Sequence, residues 1–210
     1  MLEQPLKFFV VFFVVVEPIS LSPLFTGLTV GAATAFKRRM ALKAVSVAAA
    51  ILVLFALGGA SFLGLLGISL EAFRIFGGLL LFLLALEMVF ARESGTRTSS
   101  SEAAESRRRA DISVFPLAFP FIAGPGALTT ILLWFGPLSL GTQPWLFAGY
   151  LVAVALVLAI ALVMMLLADP LMRVIGVTGA NVASRLLGVI LGALAVQFVL
   201  DGLRQAFGVG

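Results

Sequence analysis

The chain has 210 residues, of which 61% are hydrophobic and only 11% are charged. A soluble globular domain carries about 25% charged residues, so these proportions exclude a water-soluble globule and predict an integral membrane protein. The sequence contains no cysteine and no histidine, which excludes a disulfide framework, a Ser-His triad and the common zinc sites. We therefore expect neither an enzyme activity nor a cofactor or metal ion.

Six stretches are long and apolar enough to cross a bilayer, which takes about 20 residues. They lie roughly at 8–30, 41–66, 70–91, 112–135, 145–168 and 186–207. The segment 92–110 is rich in Ser, Arg and Glu and is predicted to be a cytoplasmic linker. The chain thus divides into a first three-helix unit, 1–91, the linker, 92–110, and a second three-helix unit, 111–210.

Basic residues predict how the spans are oriented. Eleven of the 14 Lys and Arg residues fall on the segments that follow the first, third and fifth spans. The positive-inside rule then places both termini outside the plasma membrane. The formal net charge of +4 follows from these topology signals, and we expect no nucleic-acid partner. A cleaved signal peptide over the first span is disfavoured, because Pro23 directly follows the only candidate cleavage site.

The two halves of the chain resemble each other. Prolines five residues apart occur in the first span at Pro18 and Pro23, and again in the fourth at Pro120 and Pro125. The run FRIFG at 73–77 in the third span is matched by SRLLG at 184–188 in the sixth. Because each half has an odd number of spans, the second copy is inverted, as in many secondary transporters. The predicted fold is all-α, with six transmembrane helices in two inverted repeats and the first and fourth helices broken at the paired prolines.

Each proline pair predicts a break, since proline lacks an N–H group and clashes with the carbonyl four residues earlier. New half-helices are predicted at Ser22-Pro23 and at Gly124-Pro125, where free N–H groups and positive dipole ends would attract a carboxylate. The alternative is that these prolines only kink packed helices. Glu17 lies near the bilayer centre, where a carboxyl is costly and marks a functional site. It would meet an ammonium group, carry a proton or bind a cation; the alternative is a buried carboxyl hydrogen-bonded to a neighbouring helix.

The predicted substrate-binding residues are polar or small residues around the two breaks and in the last helix. They are Glu17, Ser20, Ser22, Thr26, Gly124, Gly126, Thr129, Thr130 and Asn181. Glu17 is also assigned to ion coupling, and Asn181 is first expected to be the N-cap of the last helix. Ser184, Gly188 and Gly192, spaced by four residues, predict a face for close helix packing.

The run FPLAFPFIAGPGA at 115–127, together with Thr129 and Thr130, resembles the MarC family of integral membrane proteins. FRIFGG at 73–78 and GANVASRLLG at 179–188 resemble that family's third and sixth spans. The resemblance implies six spans and, as in characterised relatives, uptake of glycine- or alanine-like amino acids driven by an ion gradient. The first span departs from the family pattern, because EPISLSP at 17–23 stands where members usually have Asp-Pro-Ile-Gly-Asn-Ile-Pro.

We therefore expect a secondary transporter of a bacterial or archaeal plasma membrane, with a small zwitterion as substrate and H⁺ or Na⁺ as coupling ion. The substrate carboxylate would lie near Ser22 or Gly124 and Gly126, with Glu17 as the ammonium partner or proton carrier. The alternative is a non-transporting scaffold or envelope-stress protein. The sequence leaves open the substrate, the direction of transport and whether the chain forms a homo-oligomer in the lipid bilayer. Leu21, which replaces an amide of the family motif, puts the substrate in particular doubt.

Overall fold

The computed structural model describes residues 2–90, 111–138 and 143–208, and the predicted linker at 92–110 lies outside them. Within the described ranges all regular secondary structure is helical. The helices are α1 (Glu3–Val16), α2 (Pro18–Leu28), α3 (Thr34–Leu65), α4 (Leu70–Phe90), α5 (Ser113–Ile122), α6 (Pro125–Phe135), α7 (Pro144–Leu166) and α8 (Ala168–Phe207).

Five helical segments are long and apolar enough to cross a membrane. They are Glu3–Leu28, which joins α1 and α2, Thr34–Leu65, Leu70–Phe90, Pro144–Leu166 and Ala168–Phe207. Helices α5 and α6 meet at an angle of 54° and make a sixth segment if they are counted as one broken span. The multi-pass helical architecture is therefore confirmed, while the inverted repeat stays a prediction.

The start of the last helix differs from the prediction. Asn181 is not an N-cap, because it lies inside α8, which begins at Ala168. The interruption falls instead at Gly176, where φ is 66° and ψ is 175°. Glycine adopts positive φ at no steric cost, whereas a side chain at Asn181 fits an uninterrupted helix. The interruption within α8 therefore lies at a glycine and not at Asn181.

The first and fourth spans run antiparallel. Phe8, near the start of α1, packs against Phe135 at the end of α6, with ring centroids 5.8 Å apart. Near the end of α1, Val15 lies beside the start of α6, where a Cβ atom on Gly126 would be 3.2 Å from its Cγ1. The start of α1 therefore contacts the end of α6, and the end of α1 contacts the start of α6.

The third and sixth spans also run antiparallel, and glycines bring them close together. A Cβ atom on Gly78 of α4 would lie 2.7 Å from Cγ2 of Val199 and 2.8 Å from the carbonyl oxygen of Ala195. At the other end of α4, a Cβ atom on Gly188 would lie 2.8 Å from Cβ of Met88. The predicted packing role of Gly188 is confirmed, since only a residue without a side chain allows this approach of the two helices.

The first span runs parallel to α7. Near its start, the Tyr150 hydroxyl of α7 donates a hydrogen bond to Oε1 of Gln4 at 3.2 Å. Farther along, the Ser22 hydroxyl of α2 donates to the carbonyl oxygen of Met164 at 3.0 Å. Residue numbers therefore rise together along this contact.

Helix α3 runs parallel to the fourth span in the same way. Lys43, near the start of α3, forms an ion pair with Asp111, which lies just before α5. Farther along α3, a Cβ atom on Gly59 would be 2.1 Å from Cδ2 of Leu132 in α6. Residue numbers again rise together along the contact.

One end of the bundle, which we call the charged end, carries two ion pairs that join α3 to other elements. Nζ of Lys37 lies 2.7 Å from Oδ2 of Asp169 at the start of α8, and Lys43 pairs with Asp111. The Lys43 ammonium group, helped by the hydroxyl of Ser113, holds the pKa of the Asp111 carboxyl well below its usual range. Ion pairs at a protein surface contribute at most about 1 kcal/mol each to the free energy of unfolding. These two pairs therefore show which helix ends are neighbours and add little stability.

The contact between α4 and α8 leads to a stability prediction. We expect Gly78→Ala to lower the free energy of unfolding by about 1–3 kcal/mol, since the new Cβ would press on the backbone of α8. Gly58→Ala is the matched control, because a Cβ atom there has no heavy atom within 4 Å and alanine favours the helix by up to about 1 kcal/mol. Thermal unfolding in detergent measures both, and equal stability of the two variants would contradict the close packing.

Candidate functional site

The first break in the spans lies at Glu17. Helix α1 ends there because Glu17 adopts the left-handed conformation, with φ 54° and ψ 59°, while its N–H group still donates to the Phe13 carbonyl at 2.9 Å. Helix α2 begins at Pro18, whose fixed φ and missing N–H group suit the first position of a helix. A strained residue of this kind costs about 1–3 kcal/mol and is found mostly at functional sites.

The prediction that a new half-helix begins at Ser22-Pro23 is wrong. Helix α2 has already begun at Pro18 and contains Pro23 in its interior. A second break five residues after the first would leave a fragment of little more than one turn, too short to be a stable helix. The chain instead tolerates Pro23 inside α2, which leaves the carbonyl of Ile19 without its usual helical donor.

The Glu17 carboxylate is buried and held by two hydroxyl groups. Its side chain is 2% exposed. The Ser20 hydroxyl donates to its Oε1 atom at 2.5 Å, and the Ser184 hydroxyl of α8 donates to the same atom. Glu17 is the N-cap of α2, although its side chain makes no capping hydrogen bond. Its carboxyl group therefore lies near the positive end of that helix dipole, where an anion is favoured. The N-terminus of α2 therefore has a carboxylate supplied by the chain itself.

Sequence reasoning missed the role of Ser184. It is predicted only as a small residue for helix packing, yet its hydroxyl joins α8 to the first break, 167 residues away in the chain. A lone serine in an apolar helix gives no sign of which partner it will meet. Only the packing of α8 against α2 reveals this contact.

The second break lies where it is predicted. Helix α6 begins at Pro125, with Gly124 as its N-cap in an extended conformation. The preceding α5 is irregular, because Phe115 and Phe119 are extended, each followed by a cis proline. The N-cap therefore has no side chain of its own to place at the start of α6, in contrast to Glu17 at the start of α2.

A cavity of about 30 Å³ opens at the start of α6. It is lined by Val15, Leu80, Leu84, Pro120, Phe121, Gly124, Pro125, Gly126 and Ala127. The first hydrogen bond of α6 runs from the Leu128 N–H group to the Gly124 carbonyl at 3.0 Å, so the helix itself does not use the N–H groups of Gly126 and Ala127. Backbone N–H groups at the positive end of a helix form a site suited to a carboxylate.

Gly124 and Gly126 have different tolerances for a side chain. A Cβ atom on Gly124 would lie 2.1 Å from the carbonyl oxygen of Pro120, so the break needs glycine there. A Cβ atom on Gly126 would lie 3.0 Å from Cδ2 of Leu81 and 3.2 Å from Cγ1 of Val15. These neighbours are side chains that can move slightly, and a methyl group at Gly126 would narrow the cavity.

The two threonines that follow the second break make contacts within the bundle. The buried hydroxyl of Thr130 donates to the Gly126 carbonyl at 2.9 Å. Thr129 packs with its methyl group against α4, where a Cβ atom on Gly77 would lie 2.0 Å from Thr129 Cγ2. Neither residue lines the cavity, and their predicted role in substrate binding stays a prediction.

The remaining predicted residues are spread over α2 and α8. The Ser22 hydroxyl is buried and donates to the Met164 carbonyl. The Thr26 hydroxyl is buried, and the described part of the chain offers it no hydrogen-bond partner. Asn181 is exposed on α8 and does not line the cavity. The structure thus brings Glu17 together with Ser20, leaves Asn181 apart from the cavity, and places Ser22 against α7.

Comparison with known proteins gives consistent matches along the whole chain. The family model described as MarC family integral membrane protein matches residues 2–207. The UPF0056 membrane protein YhcE of Escherichia coli K12 is 34% identical over 205 residues, covering 96% of this chain and 92% of that protein. The UPF0056 membrane protein MJ0972 of Methanocaldococcus jannaschii is 33% identical over 196 residues, covering 93% and 84%. No solved structure matches.

The geometry of the second break predicts unequal effects for its two glycines. We expect Gly124→Ala to destabilise the protein by about 1–3 kcal/mol, because the new methyl group would collide with backbone. Gly126→Ala should cost less than about 1 kcal/mol, because it meets only side-chain atoms. Thermal unfolding of both variants in the same detergent checks the order, and a Gly124→Ala protein as stable as the wild type would contradict the tight break.

Proposed function

The chain belongs to the MarC family of integral membrane proteins, and we propose that it is a secondary transporter for small neutral amino acids such as glycine and alanine. The observation that carries the proposal is the pair of unequal helix starts inside the membrane. Helix α2 begins beside the chain's own carboxylate, Glu17, whereas α6 begins with a glycine beside an apolar cavity. The proposal includes no enzyme activity and no resident cofactor.

We propose that the second break is the site of the substrate carboxylate. The N–H groups of Gly126 and Ala127 would hold it, since the helix leaves them unused. The cavity has a volume of about 30 Å³, enough for a group of about the size of a water molecule. Binding of a whole amino acid would therefore require the cavity to widen. The apolar walls, which include Leu84 and Phe121, suit a hydrogen or methyl side chain and disfavour a charged one.

Glu17 is proposed as the ammonium partner of the substrate or as the carrier of a coupling proton. Val15, two residues before it, lines the cavity, whereas Glu17 itself does not. A contact between Glu17 and a substrate in the cavity would therefore require the cavity to open toward the first break. Leu21, which replaces the amide of the family motif, is 2% exposed and packs in the hydrophobic core. Since Leu21 does not line the cavity, this departure is compatible with the same class of substrate.

An inverted repeat is supported by the directions of the helix contacts. Exchanging the first with the fourth span, the second with the fifth and the third with the sixth maps the antiparallel contact of the first and fourth spans onto itself, and likewise that of α4 and α8. It also maps the parallel contact of the first span with α7 onto that of α3 with the fourth span. The contact of the first span with α8, which includes Glu17 and Ser184, maps span for span onto that of the fourth span with α4, which includes Thr129 and Gly77. Alternating access would then consist of one repeat rocking against the other.

We further propose a bacterial or archaeal plasma membrane, with α5 and α6 as one broken span and both termini outside. The charged end, with Lys37 and Lys43, then faces the cytoplasm, in agreement with the positive-inside rule. An H⁺ or Na⁺ gradient would drive transport.

Replacing one carboxyl group tests the proposal. We expect Glu17→Gln to reduce gradient-driven accumulation of labelled glycine or alanine in proteoliposomes to the level of protein-free liposomes, because the variant has lost the charge that binds the ammonium group or proton. Glu3→Gln is the matched control, since the Glu3 side chain is 77% exposed and pairs with Lys7 at the start of α1. A Glu17→Gln protein that concentrates substrate normally would remove Glu17 from the mechanism, and inert wild-type protein would favour the scaffold alternative.

A further inference from the structure

A recess at the charged end of the bundle is lined by basic side chains of α3. It has a volume of about 600 Å³, and we call it the basic recess. Its lining residues are Ala35, Arg38, Arg39, Leu42, Lys43 and Ser46. They recur at intervals of three or four residues, so they form one face of the first turns of α3. Three cationic side chains therefore lie together on one helix face.

The two arginines of the basic recess differ from the lysines near them in having no carboxylate partner within the described ranges. Lys37 and Lys43 each form an ion pair with an aspartate. Arg38 and Arg39 are exposed, and no carboxylate of residues 2–90, 111–138 or 143–208 forms an ion pair with either of them. Because the recess also lies near the start of α3, the helix dipole adds to the positive potential. This surface therefore favours an added anion.

The donor groups of the basic recess suit a phosphate. A guanidinium group is planar and can donate two parallel N–H bonds to phosphate oxygens. The Lys43 ammonium group has three N–H bonds, so its ion pair with Asp111 leaves donors for a second anion. The Ser46 hydroxyl already donates to the Leu42 carbonyl at 2.9 Å. The two arginines are therefore the main donors, with Lys43 in support.

The same side of α3 continues as an exposed apolar surface. Leu42, Val53 and Leu57 are 44%, 39% and 58% exposed. From Leu42 to Val53 the helix advances about 16 Å at about 1.5 Å per residue, which is about half of a hydrocarbon core roughly 30 Å thick. A phospholipid, with its phosphate above its acyl chains, fits both parts of this surface, whereas a soluble anion would use the recess alone.

We propose that the basic recess binds the headgroup of an anionic phospholipid such as phosphatidylglycerol. Arg38 and Arg39 donate to its phosphate, and an acyl chain lies along Leu42 and Val53. Basic pockets at the cytoplasmic ends of transmembrane helices commonly bind acidic lipid headgroups. This site does not depend on the proposed transport function.

Thermal unfolding of the purified full-length protein in detergent micelles tests the site without any amino acid present. We compare phosphatidylglycerol with phosphatidylcholine of the same acyl chains at equal mole fraction, because phosphatidylcholine has the same phosphate but no net charge. Phosphatidylglycerol should raise the Tm of the wild type by about 2–4 °C over phosphatidylcholine, as expected for a ligand that binds the folded state of a chain of this size. Glycerol phosphate, which has no acyl chain, should give no shift at the same concentration.

Single charge-removing variants locate the effect. Arg38→Gln and Arg39→Gln should each require about fivefold more phosphatidylglycerol for the half-maximal shift, the factor that one basic residue contributes near an anionic lipid surface. In phosphatidylcholine their Tm should equal that of the wild type, because both side chains are exposed. Arg173→Gln is the matched control, since it removes the same charge from an exposed position of α8 that does not line the recess, and its titration should match the wild type.

Four results would overturn the proposal. An equal Tm in the two lipids would leave the arginines as topology signals only, and an equal shift with glycerol phosphate would make the ligand a soluble anion. A shift that is unchanged in both Arg38→Gln and Arg39→Gln would put the lipid elsewhere. An equal loss in Arg173→Gln would indicate diffuse attraction to the charged end. Since no substrate is present, a lipid shift in a protein that fails to transport would retain the lipid site and remove only the transport function.

Discussion

A backbone N–H or C=O group without a partner costs several kcal/mol in the hydrocarbon core, so a helix can break inside a membrane only where protein or an enclosed cavity surrounds the break. This constraint explains why the two breaks of this chain lie deep in the bundle. Glu17 is closed in by α8 through Ser184, and the start of α6 is closed in by α1 and α4 around the cavity. The close contact of α4 with α8, made by glycines such as Gly78, holds this enclosure together.

The two helix starts differ in whether the chain places a carboxyl group beside them. A helix start presents N–H groups and a positive dipole end, which a negative charge stabilises. At α2 the chain supplies Glu17, fixed by Ser20 and Ser184. At α6 the N-cap is Gly124, which brings no carboxyl group to the helix start. This difference is why we assign substrate binding to the second break and coupling or ammonium binding to the first.

Local sequence signals predict much of this fold and part of the site. The apolar runs locate the spans, and glycine before proline locates the start of α6, because both residues fit their helix positions without help from other segments. The first span contains two prolines, Pro18 and Pro23, and each of them predicts a helix break. The choice of Pro18 depends on the conformation of Glu17 and on its contact with α8, neither of which a local pattern encodes. In the last helix the interruption likewise falls at Gly176 and not at Asn181, although asparagine is a good N-cap.

The central claim is that the broken spans form the substrate site of a carrier. Counterflow tests it most directly, with labelled glycine or alanine outside proteoliposomes that are preloaded with the same unlabelled amino acid, since this exchange requires no knowledge of the coupling ion. We predict saturable, transient accumulation of label above that in protein-free liposomes. A flat trace across the small neutral amino acids would contradict the claim.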